Sequence, residues 1–306
     1  MASLSTFDAF KHLNAEHGEY VLSAEDLKNL QNVLTKMLGE ILEVCERHDI
    51  ECLLVGGSCL GAVRHQGFIP WDDDLDIGML RADYERFKQV FAAELGERYI
   101  LQSPEDTEGY GLAFSRLRLK GTTLKCRDDF FAADENCGVY IDLFVWDDVP
   151  DNVVLRAAHG FLSLCIGFAY SCRRFAWYGP YYLRLVQGNE ELTRTFKTKM
   201  LLGRLLSFMS VDGWTKLWYR WNSLIRSGKT RSVSFPCGRK HYFGEIQERS
   251  SVASAIEVPF GDITARVPRN YHDYLVSLYG ENYMVPPPEA AREEHIVFAF
   301  DLGEEA

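Results

Sequence analysis

Trp71-Asp72-Asp73-Asp74-Leu75-Asp76-Ile77-Gly78 sets four carboxylates within five residues and interleaves them with residues that belong in a core. Like charges at this density repel, and burying them without a counter-charge would cost several kcal/mol, so the segment is either fully wet or faces a cation. Ile69, Trp71, Leu75 and Ile77 favour the second alternative; a solvated acidic turn is the first. On a strand, alternate residues share a face. Asp74 and Asp76 are therefore expected on one side, with Leu75 and Ile77 anchoring the strand from the other. A carboxylate pair at i and i+2 suits a hard divalent cation, Mg²⁺ or Mn²⁺, which takes oxygen ligands and bridges phosphates. An EF-hand is excluded, because the sixth and twelfth positions counted from Asp72 are Ile77 and Asp83 rather than Gly and Glu.

The segments around this motif read clearly. Leu27, Leu30, Leu34, Met37, Leu38, Ile41, Leu42 and Cys45 follow the helical period behind Ser23 and Asp26 in capping-box register, predicting a helix over 24–48. A buried strand over 52–55 ends at Gly56-Gly57, and a short helix over 58–65 opens from that turn. A strand over 75–79 and a helix over 82–95 follow. Further strands are expected over 112–119 and 139–145, and a helix over 270–279 closed by Gly280. Gly56-Gly57-Ser58 lies where exposed backbone N–H groups and a positive helix end hold phosphate oxygens, or where a plain tight turn sits. It is neither a Walker loop, since Ala62-Val63 replace Lys-Ser/Thr, nor a dinucleotide-binding fingerprint.

Charge divides the chain. Residues 151–240 hold 15 Lys/Arg and 4 Asp/Glu, against 18 and 40 elsewhere. This basic stretch is rich in Leu and aromatics, as expected of amphipathic helices with a wet basic face. That face is simply solvated, or it docks an anionic partner such as a phosphate-bearing substrate or a lipid headgroup layer. No nucleic-acid motif accompanies it, and no nucleic-acid partner is expected. The longest apolar block, 160–172, falls short of the ~20 residues that span a bilayer and reads as a buried or interfacial helix. With 47% hydrophobic and 25% charged residues over 306 positions, disorder, collagen and coiled coil are out. Eight cysteines without a C-x-x-C pair read as buried free thiols. The first twenty residues carry no recognisable signal or transit peptide, so a cytoplasmic protein is expected, at the inner face of the membrane if the basic stretch binds lipid.

The run from Leu54 to Met79, with Gly56-Gly57-Ser58 and Trp71-Asp72-Asp73-Asp74-Leu75-Asp76, resembles the signature of the LicD family, of which fukutin-related protein is a distant relative. Tyr140-Ile141-Asp142-Leu143-Phe144 resembles a later strand of that family. Tyr279-Gly280-Glu281-Asn282-Tyr283-Met284, with Pro286-Pro287 and His295, resembles its closing motif. The likeness covers 50–148 and 257–295 and is silent on 151–240. It departs mildly, with Ser58 where Thr is commoner and Cys59 where Leu is.

The resemblance implies an α+β fold: a nucleotidyltransferase (polymerase beta-like) core with a small mixed sheet and flanking helices, carrying a basic, mostly helical insertion. The expected division is a catalytic core at 1–150, the insertion at 151–240 and a returning segment at 241–306. It implies a phosphotransferase that moves a phospho-alcohol such as phosphocholine from a CDP-activated donor to a glycan or lipid-linked glycan hydroxyl, releasing CMP. Asp74, Asp76 and Asp142 take the metal-binding and catalytic places, holding Mg²⁺ or Mn²⁺, two ions in the usual arrangement. Asp142, flanked by Ile141 and Leu143, is also expected to activate the acceptor; a structural ion pair is the alternative. Gly56, Gly57, Ser58 and Arg64 take the phosphate-binding places. His65, Asp73, Arg116 and His295 are candidate substrate contacts. Arg64 and His65 serve equally as charge partners of Asp72 or Asp73, and Arg116, Arg118 and Lys120 face nucleotide phosphate or water. The aromatics of the middle form a cation-binding cage or, more simply, core packing. Two other functions share the pattern: a nucleotidyltransferase that releases pyrophosphate from an NTP, and a catalytically silent binding module.

Overall fold

Pairing around the acid segment organises this computed structural model, which describes residues 20–129, 132, 136–186, 188–289, 292 and 295–305. Helix α1 (Ala24–Arg47) opens on the expected capping box, with Ser23 and Asp26 each bonding the other's backbone N–H, and buries Leu30, Leu34, Met37, Leu38 and Ile41. There follow β1 (Leu53–Leu54), α2 (Gly56–His65), β2 (Asp76–Leu80), α3 (Arg81–Glu94), β3 (Tyr99–Gln102), β4 (Ser115–Leu119), β5 (Thr123–Cys126) and β6 (Tyr140–Val149). The central sheet has the order β1-β2-β6-β4-β3, with β2 and β6 parallel and the other neighbours antiparallel. It is a mixed sheet in an α+β molecule. β6 outruns β2 and β4, and its far end pairs with β7 (Ser232–Ser234), which pairs with β8 (Ile246–Glu248). Trp146, Tyr84, Tyr99 and Phe87 fill the core beside the sheet.

The stretch after β6 is helical, as its composition predicts: α4 (Val153–Trp177), α5 (Gly179–Leu185), α6 (Glu190–Leu205) and α7 (Val211–Asn222). The 160–172 block proves to be the middle of a 25-residue helix, which by length and composition alone is long and apolar enough to cross a membrane. The apolar count stopped at 172 because Arg173 and Arg174 follow, yet neither interrupts the helix. A Cβ on Gly203 would lie 2.0 Å from the carbonyl oxygen of Cys172, so α4 and α6 meet backbone to backbone there. The aromatics pack on one another: Phe175 against Tyr182 and Phe196, Tyr178 stacked on Tyr182, Tyr170 on Trp218. The cations over these rings are the chain's own Arg174 and Lys199, so core packing, not a ligand cage, is their use.

The chain then returns through α8 (His241–Gly244), α9 (Arg249–Val252), the hairpin β9 (Ala255–Phe260) and β10 (Ile263–Pro268), α10 (Tyr271–Tyr279) and β11 (Val297–Asp301), which pairs with β5. All eight cysteines are free; six are buried, Cys237 is half-buried and Cys165 is exposed.

Candidate active site

Register brings three charged residues into one row. Asp76 of β2 lies opposite Asp142 of β6, which lies opposite Arg116 of β4. Arg116 donates from Nε to Asp142 Oδ1 at 2.6 Å and from Nη2 to Oδ2 at 3.0 Å, a two-pronged pair with both residues buried. Its guanidinium lies 3.6 Å over the Tyr140 ring, and Nη1 is 3.6 Å from Asp129 Oδ1. Arg118 on the same strand is buried too, bonding Gln102, the Gly138 carbonyl and Asp129. The expectation that this arginine row faces phosphate or water is therefore corrected. β4 lies between β3 and β6 and is covered, so its arginines neutralise interior carboxylates, while Lys120 lies beyond the strand and bonds the Gly96 and Glu97 carbonyls.

The Gly-Gly turn packs against the acids themselves. Gly56 has φ +52°, and a Cβ there would stand 2.9 Å from Asp76 Oδ2; one on Gly57 would stand 3.1 Å from Asp72 Oδ2. Glycine is needed at Gly56 on both counts, for the left-handed backbone and for the space the carboxylate fills. Gly56 N–H donates to Tyr274 Oη at 2.9 Å. Ser58 is buried, and its Oγ accepts the Asp76 N–H at 2.8 Å, while Val55 N–H bonds the Asp76 carbonyl. The start of α2 is thus stitched to the head of β2, and the Ser58 hydroxyl positions Asp76. Gln31 of α1 donates to the Asp72 carbonyl at 2.8 Å and holds the acidic loop from behind.

Asp73 and His295 pair at 2.5 Å, and His295 Nε2 lies 3.7 Å from Asp74 Oδ2. Asp73 draws the His295 imidazole well above its ordinary value against the opposing effect of burial, and Asp74 adds to this. Burial, then the neighbouring acids, pushes Asp72 and Asp76 well above the usual carboxylate range. Asp74 is pushed up to about 6, burial outweighing the opposing pull of His295. Burial leads and repulsion among the acids adds to it, and among the described residues His295 and, for Asp74, Arg116 offset this only in part. Ligand atoms of Asp73, Asp74 and His295 lie within 4.8 Å of one another. Two carboxylates and an imidazole suit Mn²⁺ better than Mg²⁺, which favours oxygen alone. Of the expected metal residues, the structure sets Asp76 beside Asp142 and Asp74 beside Asp73 and His295. Asp142 gives both oxygens to Arg116.

Arg64 donates from Nη1 to the Tyr283 carbonyl at 2.8 Å and from Nε to His65 Nε2 at 2.9 Å. Its fork is thus partly used on the chain's closing motif. Burial and then Arg64 lower the His65 imidazole, whose ring meets Trp71 edge-on. Sequence reasoning missed Tyr274, Gln31 and Arg292, whose guanidinium lies 4.2 Å over the Trp71 ring. All three reach the site from distant elements and carry no local signal.

Comparison with known proteins places this geometry. The family model described as LicD/FKTN/FKRP, nucleotidyltransferase domain, matches residues 49–155. The chain is 24% identical over 291 residues, 90% of its length and 98% of the relative's, to the lipopolysaccharide cholinephosphotransferase LicD of Haemophilus influenzae. It is 41% identical over 117 residues to the ribitol 5-phosphate transferase FKRP of Mus musculus, and there the match covers 38% of this chain and 20% of the relative. An uncharacterized protein of Rickettsia prowazekii, RP689, is 40% identical over 123 residues, 39% of this chain and 41% of that protein. The acidic loop, the glycine turn and the Asp76–Asp142–Arg116 row all fall inside residues 49–155, the stretch that matches the LicD family's nucleotidyltransferase domain.

Proposed function

We propose that the protein is a metal-dependent phosphotransferase that moves a phospho-alcohol, phosphocholine or a similar group, from a CDP-activated donor to a glycan hydroxyl and releases CMP. The observation that carries this reading is the contact of the Gly56-Gly57 turn with Asp72 and Asp76, at the end of the sheet where Asp142 and Arg116 stand in register. The likeness to a cholinephosphotransferase and a ribitol 5-phosphate transferase supports it. On this reading 1–150 is a nucleotidyltransferase core of polymerase beta type, 151–240 an insertion and 241–306 the returning segment. The protein works in the cytoplasm, on a glycan or lipid-linked glycan.

Asp74, with Asp73 and His295 on one side and Asp76 on the other, would hold Mg²⁺ or Mn²⁺, which when bound neutralises the charge gathering on the transferred phosphoryl group. His295 has to give up its proton to serve as a ligand; otherwise its N–H donates to a phosphate oxygen. Arg116 fixes the orientation of Asp142. Each Asp142 oxygen keeps a lone pair, and we assign to it the proton of the acceptor hydroxyl. Gly57, at the start of α2, and Arg64 meet the donor's diphosphate. Alignment of acceptor and phosphorus is then the main task left to the protein.

The test is CMP release from CDP-choline and CDP-ribitol, with and without Mn²⁺ or Mg²⁺ and an acceptor glycan, with Asp74→Asn/Asp76→Asn protein as the blank. Metal-dependent CMP release that the blank lacks supports the reading. Pyrophosphate from CTP or ATP, with both CDP-alcohols untouched, replaces it with a nucleotidyltransferase.

A further inference from the structure

The outer side of the helical region carries large apolar residues that none of the described residues covers. On α4, Val154, Ala157, Ala158, Phe161, Leu164, Cys165 and Phe168 recur at three- and four-residue steps and line one exposed stripe; Val154 is 75% exposed and Phe161 67%. No Asp, Glu, Lys or Arg falls between Arg156 and Arg173. On α6 the exposed row is Arg194, Lys197, Leu201, Arg204 and Leu205, continuing to Phe208 just past the helix. Leu205 is 70% and Phe208 75% exposed. The contact at Gly203 and Cys172 holds the two helices together, so their stripes belong to one rigid body. Phe243 leans on Gly160 and adds an exposed ring beside the first stripe.

We propose that this face docks on an anionic lipid bilayer, with α4 lying along the interface and its outer stripe among the acyl chains. Charge selects the occupant. The stretch 151–240 is strongly basic in an acidic protein, and Arg194, Lys197 and Arg204 alternate with the exposed leucines of α6, the arrangement that binds anionic headgroups while apolar side chains insert. A second copy of the chain would bring the same basic row against itself. Acidic residues here are few: Glu190 and Glu191 open α6, and Asp212 is paired with Lys216. The helix lies on the bilayer and does not span it, because its inner side is tied by polar contacts. Trp218 Nε1 donates to Ser163 Oγ, Ser163 Oγ donates to Asn222, and His159 bonds Tyr242 Oη and the Trp221 carbonyl. A spanning helix would leave these groups unpaired in hydrocarbon.

The far end of α4 reaches the candidate site. Arg174 Nη2 donates to Asp128 Oδ1 at 2.8 Å and Tyr178 Oη to the Asp128 carbonyl at 2.8 Å, next to the Asp129 that meets Arg116 and Arg118. The end of α4 is thereby tied to the loop beside the Arg116–Asp142 pair. The inference does not depend on the phosphotransfer reading.

Vesicle flotation of the full chain tests it, with phosphatidylcholine vesicles and with vesicles containing a third phosphatidylglycerol. Binding is expected on the anionic vesicles, weakening as salt rises, with at least tenfold less on the neutral ones. Phe161→Glu/Leu205→Glu and Arg194→Glu/Lys197→Glu/Arg204→Glu are each expected to lower anionic-vesicle binding at least tenfold at unchanged circular dichroism. Absence of binding to anionic vesicles, or binding that survives both sets of substitutions, overturns the proposal. So does light scattering that shows a dimer dissolved by Phe161→Glu/Leu205→Glu.

Discussion

Arg116→Met removes the one partner that holds both oxygens of Asp142. The carboxylate is 7% exposed, lies in register with Asp76 and is flanked by acids already pushed upward by burial and by one another. Removing one member of a buried pair costs about 3–5 kcal/mol, and the neighbouring negative charge sets this case at the upper end. Methionine retains contact with the Tyr140 ring, so lost packing contributes little. Asp142→Asn is milder, about 1–3 kcal/mol, because the amide oxygen still accepts from Arg116 and Asp129 stays 3.6 Å from Nη1. In the double variant no orphan charge remains, so the two costs sum to more than the measured whole by about 2 kcal/mol. Urea unfolding at pH 7 followed by tryptophan fluorescence reads all four corners of the cycle. Mn²⁺ adds a second readout: at a hundred times its dissociation constant a ligand stabilises the folded state by about 2.7 kcal/mol. Arg116→Met should gain more from it than wild type, because a cation restores the missing positive charge. Loss of less than about 1 kcal/mol in Arg116→Met, or strict additivity in the cycle, would refute the view of Asp142 as a charge dependent on Arg116.

Three further outcomes follow from the same geometry. Gly56→Ala forces a side chain into the left-handed region at a cost of about 1–2 kcal/mol and drives a methyl against Asp76 Oδ2; Mn²⁺ affinity by calorimetry and CMP release should each fall at least tenfold. Ser58→Ala leaves the Asp76 N–H without its acceptor and should cost about 1–3 kcal/mol in urea unfolding, with little change if β2 relaxes onto another partner. Glu245 is held up to about 7 by burial. An acid raised in the folded state contributes stability below its ordinary value and loses it as pH climbs through about 7, here about 3 kcal/mol in all. Glu245→Gln keeps an acceptor for the Lys240 N–H and should flatten the fall in stability that wild type is expected to show between about pH 4.5 and 8 in urea unfolding.

What was legible in the sequence was local. The capping box and apolar period of α1, the strand ending at Gly56 and the acid-bearing β2 depend on neighbours within a turn or two. The β9–β10 hairpin was equally local and was missed: Phe260 and Ile263 pair around the two-residue turn Gly261-Asp262, with Gly261 at φ +60°, and that dipeptide between β-branched runs is a hairpin signal. β5 offers four residues and finds its partner β11 some 170 residues later, which no window along the chain reveals. Arg116 and Arg118 misled because alternation of charge along a strand ordinarily marks a wet face, and only the three-dimensional count of acids beneath them shows why they are interior. The His295–Asp73 contact joins residues 222 apart and was approached through family likeness alone.

Strand β6 carries its own control for the reading of the acid cluster. At its far end Asp147 and Asp148 are as buried as Asp142, yet each is closed by the fold: Asp147 by both prongs of Arg81, Asp148 by Arg249, Ser227 Oγ and the Gly228 N–H. A chain able to supply arginines for these interior acids was free to do the same for Asp72 and Asp76. Among the described residues neither forms an ion pair, and the turn beside them is built of glycines that leave their oxygens room. Asp72 and Asp76 are half-buried where Asp147 and Asp148 are buried, and a partly desolvated charge without a counter-charge still costs stability. The difference between the two ends of one strand points to a cation from outside the chain at the Asp72–Asp76 end. It predicts that added Mn²⁺ raises the stability of wild type far more than that of Asp74→Asn/Asp76→Asn, while Asp147 and Asp148 contribute nothing to that gain.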